Sequence, residues 1–215
     1  MDEYLSEREQ WERVLQWLRE QGPWVLVSIA VVMTGYYGWN YWHSRVEQRY
    51  VTAATRYEAV LQSFRNRDGK GEPNLDAGLK LTEQFIKDYP STGYADQANL
   101  FAAGALVENR SFDQAASRLA QVMNSTKDPE LGLIARLRLA RVQLAQNKPD
   151  EALKTLSAVE PGAFAARYSQ VRGDALFAKG DREGALREYR AARSAAGDTI
   201  DTGLLDLKID ELAHS

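Results

Sequence analysis

The apolar positions of this 215-residue chain fall into two regimes. Between Glu20 and Arg45 no side chain carries a charge, and the densest part runs from Pro23 to Trp42. About 20 residues of α-helix span roughly 30 Å, the hydrocarbon thickness of a bilayer. Residues 21–44 are therefore expected to form a transmembrane anchor. Beyond it, apolar positions recur every three or four residues: Val51, Ala54, Tyr57, Val60, Leu61 and Phe64 share one helical face. Residues 66–74 read as a loop from their Gly and Pro content, Leu75–Tyr89 as a helix stopped by Pro90, and the remainder as alanine-rich helices. No segment alternates with the period of a strand, so the expected class is all-α.

The anchor is not expected to be cleaved. Its leader, residues 1–20, sets Asp2, Glu3, Glu7, Glu9, Glu12 and Glu20 against Arg8, Arg13 and Arg19, whereas a secretory signal begins basic. Tyr36, Tyr37 and Trp39 follow the apolar core where a signal peptidase needs small residues. Trp17 and Trp24 at one end, and Trp39, Tyr41 and Trp42 at the other, are candidate membrane-interface residues, because such rings join an apolar body to a polar tip. Charge does not orient the span, since Arg45, Arg49 and Arg56 after it balance the three arginines before it. A short leader ahead of a first span usually stays inside, which places residues 1–20 in the cytoplasm. Ser6-x-x-Glu9 is a candidate capping box, and Trp11, Val14, Leu15 and Leu18 recur at helical spacing. The leader is either an amphipathic helix on the inner leaflet or a plain extension of the span.

The soluble part repeats. Asp113-Gln-Ala-Ala-Ser-Arg-Leu, Asp150-Glu-Ala-Leu-Lys-Thr-Leu and Arg182-Glu-Gly-Ala-Leu-Arg-Glu-Tyr occupy equivalent places, with Ala115, Ala152 and Ala185 spaced 37 and 33 apart. Ala103, Ala140 and Gly173 stand twelve residues earlier, and Leu119, Leu156 and Tyr189 four residues later. The small residues are expected to let paired helices touch, Ala185 meeting Gly173, while the larger ones fill the seam between hairpins. Arg110, Asn147 and Gly180 fall at the reversals, where a left-handed backbone suits glycine and asparagine better than arginine. The period and the small and aromatic places resemble the tetratricopeptide repeat, most clearly in the third unit. A fourth, vaguer unit over residues 50–89 would put Ala77 in the alanine place, and the apolar tail Leu204, Leu205, Leu207, Ile209, Leu212 would cap the last repeat. The full expectation is a single N-terminal transmembrane helix followed by a tetratricopeptide-like α-solenoid with a C-terminal capping helix.

Composition narrows the chemistry. Of 27 basic and 30 acidic residues, three and six precede residue 43, leaving 24 of each in the soluble part. A neutral domain has no electrostatic footprint for nucleic acid. The absence of cysteine excludes disulfides and thiolate chemistry. The two histidines, His43 and His214, are too far apart in the chain to suggest a pair, and Gly69-Lys70-Gly71 lacks the rest of a phosphate loop. Asp206 and Asp210 share a helix face that solvation explains. Neither an enzyme nor a cofactor is expected. Arg136, Arg138, Arg141, Arg167 and Arg172 suggest either a groove for acidic peptides or ordinary salt bridging.

The acidic leader, the span ending Gly38-Trp39-Asn40-Tyr41-Trp42-His43-Ser44, the segments Ala135–Leu144 and Gly173–Asp181, and the finish Leu205-Asp-Leu-Lys-Ile-Asp-Glu-Leu212 resemble the YfgM family along essentially the whole chain. Those are bacterial inner-membrane proteins described as ancillary subunits of the Sec translocon. The resemblance implies a cytoplasmic N-terminus, a periplasmic repeat domain over residues 45–215, and the SecYEG channel and the periplasmic chaperone PpiD as partners. It also implies a role in passing translocated client polypeptides to chaperones, and brings no catalytic residues. Two other classes stay open: a scaffold for envelope assembly, and a regulator sequestering a signalling protein through its leader.

Solenoids of this kind bind partners on a concave face formed by the first helix of each hairpin. The alanine register puts Gln97, Leu100, Leu137, Arg141, Leu144, Arg167, Gln170, Asp174 and Phe177 there. Their mixed character suits sequence-tolerant binding, and equally a solvated helix face.

Overall fold

The computed structural model describes residues 7–65, 74–90, 92–197 and 202–213. Ser6 of the expected capping box, loop residues 66–73 with Gly69-Lys70-Gly71, and His214 lie outside the described residues. The chain divides into two compact units, Met1–Thr52 and Ala53–Ser215.

The first unit is carried by α1 (Glu7–Arg65), which runs through Pro23 and continues into the second. Its apolar residues, among them Leu26, Val27, Ile29, Val31 and Val32, are exposed. The expected span is not confirmed by the structure: among the described residues no helix meets the length and mean hydropathy of a membrane crossing. Composition is the reason. Only Val25–Met33 is strongly apolar, and the glycines, tyrosines, tryptophans and Asn40 that follow dilute the mean hydropathy of the run.

Among its described residues the second unit consists of helices joined by short turns, with no strand. After the end of α1 come α2 (Leu75–Asp88), α3 (Gly93–Glu108), α4 (Phe112–Ser125), α5 (Pro129–Ala145), α6 (Pro149–Ser157), a 3-10 turn at Gly162–Phe164, α7 (Ala165–Ala178), α8 (Arg182–Ala196) and α9 (Gly203–Ala213). Helix starts follow local chemistry. Asn74 accepts from Ala77 N, Asp128 from Glu130 N and Leu131 N, and Asp181 from Gly184 N, each satisfying first-turn donors that have no helical partner. Pro129 and Pro149 open α5 and α6, where a missing N–H costs nothing.

Helices α3/α4, α5/α6 and α7/α8 form three hairpins that reverse in the same way. Arg110, Asn147 and Gly180 have φ of 58°, 60° and 82°. The next residue's N–H, on Ser111, Lys148 and Asp181, returns to the carbonyls of Leu106, Gln143 and Leu176 at 2.8, 2.8 and 2.9 Å. This left-handed helix ending satisfies carbonyls that would otherwise be stranded.

All nine repeat positions are buried: Ala103, Ala140 and Gly173; Ala115, Ala152 and Ala185; Leu119, Leu156 and Tyr189. Burying each large member contributes on the order of 1.5–3 kcal/mol. Two places gain detail. Beside Gly173 the space is filled by Tyr189: a Cβ on it would lie 2.5 Å from the ring. In the vaguer repeat over residues 50–89 Gly78, not the exposed Ala77, takes the alanine place, its missing Cβ leaving room for Phe64. As expected, α9 caps the last repeat, Leu205 and Ile209 packing with Ala185, Tyr189 and Ala192. Leu204 and Leu207 stay exposed.

Candidate binding groove

The first helices of neighbouring hairpins, α3 and α5, leave a trough of about 390 Å³ between them. Ala103, Gly104, Val107, Val142 and Ala145 line it, with Leu119 beneath and Glu108, Arg138 and Arg141 at its edges. A second trough, about 590 Å³, shares Gly104, Glu108 and Arg138 and extends past Phe101 and Leu100 to Phe64 and Leu75. Gly104 is the bare point common to both. A Cβ there would meet nothing within 4 Å. Its helical backbone needs no glycine, which costs about 1 kcal/mol against alanine in a helix interior. Glycine at this position leaves the floor of the trough without a side chain.

Of the expected groove residues in the first two hairpins, Leu100 and Arg141 line the troughs and Leu137 does not. Leu100 and Leu137, 6% and 5% exposed, belong to the core clusters on either side of α5. Leu100 also lines the second trough beside Phe101, whereas at Leu137 it is the C-terminal neighbour Arg138 that faces the troughs. One residue turns a helix by about 100°, enough to exchange a packed side for an open one. Leu144 is half-buried against the second cluster. Gln97 is exposed and Gln170 half-buried, and neither lines the two troughs.

Arg141, Arg167 and Asp174 do come together, with Arg138 beside them. The Arg141 guanidinium is held below its ordinary range, first by burial; nearby Asp174 opposes this, and Arg167 and Arg138 add to it. Asp174 is already engaged, accepting from the Tyr189 hydroxyl at 2.8 Å and from Lys208 of α9. Sequence reasoning missed this tie, because nothing in spacing links positions 174 and 208. Phe177 is 43% exposed and lines a small hollow with Asp174, Tyr189, Lys208 and Leu212. The Arg182 guanidinium stands 5.9 Å from its ring centre.

The candidate interface aromatics lie on the first unit. Trp17, Trp24, Trp39, Tyr41 and Trp42 are all exposed, and the Trp39 and Trp42 rings are 6.0 Å apart. Arg45 donates to the Tyr41 hydroxyl at 2.5 Å. The hydroxyls of Ser28 and Thr34 donate to the carbonyls of Trp24 and Ala30, so the polar groups inside the apolar run are satisfied within the helix. Among the described residues no group of three or more His, Cys, Asp or Glu could hold a metal ion.

Known proteins match this architecture. The family model for a tetratricopeptide repeat-like domain matches residues 15–214. A protein of Aggregatibacter actinomycetemcomitans named ancillary SecYEG translocon subunit is 31% identical over 208 residues, 97% of this chain and 98% of its own length. The Escherichia coli K12 protein of the same name is 29% identical over 213 residues, 99% of this chain and 100% of its own. A solved structure titled MamA RS-1 ArsTM double mutant superposes with a TM-score of 0.52 over 75% of this chain and 94% of its own, at 17% identity, a likeness of fold alone. By the repeat model and by end-to-end likeness, the chain belongs to the tetratricopeptide repeat-like family whose relatives carry the name ancillary SecYEG translocon subunit, the family its border and repeat motifs resemble.

Proposed function

We propose that the protein is an ancillary subunit of the Sec translocon, anchored in the bacterial inner membrane by α1, with its repeat domain in the periplasm. There its groove takes translocated client polypeptides and passes them to a chaperone of the PpiD type. The observation that carries this reading is likeness over 97% or more of the chain, α1 included, to proteins named translocon subunits.

Two features support the anchor. The apolar side chains of Val25–Met33 that are described have no protein cover, and the hydroxyls of Ser28 and the adjoining Thr34 are bonded to their own helix, as a lipid environment demands. Trp24 at one end and Trp39, Tyr41 and Trp42 at the other suit the two headgroup layers. The aromatics that lower the mean hydropathy therefore reside at the boundary, where they are favoured.

Tethering gives the groove its use. Confinement near the channel raises local concentration towards roughly millimolar, so contacts too weak in solution become sufficient. The test is co-purification from membranes in mild detergent. SecYEG should accompany the intact protein and be lost when residues 1–44 are removed. Equal recovery without that segment would reject the anchor as the means of association.

A further inference from the structure

The five arginines of α5 and α7 divide into two sets. Arg136 donates to the Thr155 carbonyl at 3.1 Å, and Arg172 is paired with Glu188 at 3.1 Å while also donating to Ser169. These two hold helices together. Arg138 makes one long bond of 3.4 Å to the Leu100 carbonyl, leaving most of its donors over. Among the described residues no salt bridge involves Arg138, Arg141 or Arg167. Their neighbouring carboxylates do not cancel them. Asp174 is bound by Lys208 and Tyr189, and Glu108 is a single charge at the far edge of the troughs.

We infer that this face selects polypeptide segments in which acidic side chains alternate with apolar ones, Arg138, Arg141 and Arg167 receiving the carboxylates while the floor at Gly104, Val142 and Ala145 receives an apolar side chain. This rests on the reading that the groove binds clients. Three like charges on a concave surface repel one another, and an anionic occupant relieves that repulsion while forming paired hydrogen bonds to each guanidinium. The bare floor adds apolar contact without sequence demand. A soluble part with equal numbers of acidic and basic residues lacks a broad positive field, so the selection is local.

The test uses the full chain in nanodiscs of neutral lipid and three labelled twelve-residue peptides, followed by fluorescence anisotropy. One peptide alternates Glu with Leu, one Lys with Leu, and one Glu with Ser. The Glu–Leu peptide should bind about ten-fold tighter than either of the others and weaken as salt rises. Replacing all three residues, Arg138→Gln, Arg141→Gln and Arg167→Gln, should erase the advantage over Lys–Leu, with the melting temperature showing that the fold persists. Outward Lys154→Gln and Arg190→Gln should leave it intact. Equal binding of Glu–Leu and Lys–Leu, still blocked by Gly104→Leu, would retain the groove and overturn the selectivity. Binding of every peptide unaffected by Gly104→Leu would overturn the groove itself. Displacement of the Glu–Leu peptide by anionic phosphatidylglycerol in the nanodisc would assign the arginines to lipid instead.

Discussion

The Tyr189 ring fills the space where a side chain on Gly173 would stand, with a would-be Cβ 2.5 Å from Cε1. The first two hairpins solve the same contact with Ala103 and Leu119, and with Ala140 and Leu156. The larger partner in the third hairpin requires the smaller residue opposite it. Gly173→Ala should destabilise by about 1–3 kcal/mol, because the buried ring cannot move aside, outweighing alanine's better helix propensity. Adding Tyr189→Leu should recover part of the loss by recreating the earlier pair. Urea unfolding of the four members of the cycle measures the coupling, and strictly additive losses would contradict it.

The left-handed reversals predict that glycine is favoured at each of them. Arg110 holds φ at 58° without the freedom of glycine. Arg110→Gly should raise stability by about 0.5–1 kcal/mol, as relief of left-handed strain exceeds the added unfolded-state entropy. Gly180→Ala, at φ 82°, should lower it by about 1 kcal/mol. Thermal melts that moved in the reverse directions would refute the shared turn.

Alkaline pH should weaken the repeat domain. Burial raises the pKa of Tyr189, and its bond to Asp174 and the nearby charge of Glu211 raise it further. Burial likewise raises that of Tyr168, opposed by Arg136. A tyrosine whose folded pKa exceeds its unfolded value near 10 keeps its proton longer when folded, so its stabilisation is complete below about pH 10 and falls as pH rises further. Urea midpoints should be level around neutrality and drop above about pH 10. Tyr189→Phe should reduce the alkaline decline.

Much of this architecture is legible in the sequence, and the second helices of the hairpins are clearer than the first. The second helices α4, α6 and α8 bury a single face, so Ala115, Ala152 and Ala185 declare their register. The first helices α3 and α5 pack on more than one side and carry apolar residues nearly all round. Buried and open sides therefore blend: Leu100 packs in the core and also borders a trough, while Leu137 is buried and its neighbour Arg138 faces the opening. The Asp174–Lys208 tie depends on how α9 folds back, which spacing does not encode.

The anchor is tested by topology. Protease added to spheroplasts should digest the chain beyond about residue 50 and spare the leader, following the rule for short N-terminal tails. Release of the protein by carbonate, or a protected C-terminal domain, would reject the proposed arrangement.

The central claim, that the concave face of the repeat domain is where clients and chaperone bind, is tested most directly by photo-crosslinking in living cells. A photoreactive residue at Phe101, Arg138 or Phe177, each exposed on the inner side, should capture a partner polypeptide. The same residue at Lys154 or Arg190, exposed on second helices, should capture none. Equal yields from both faces would show the groove to be ordinary helix surface.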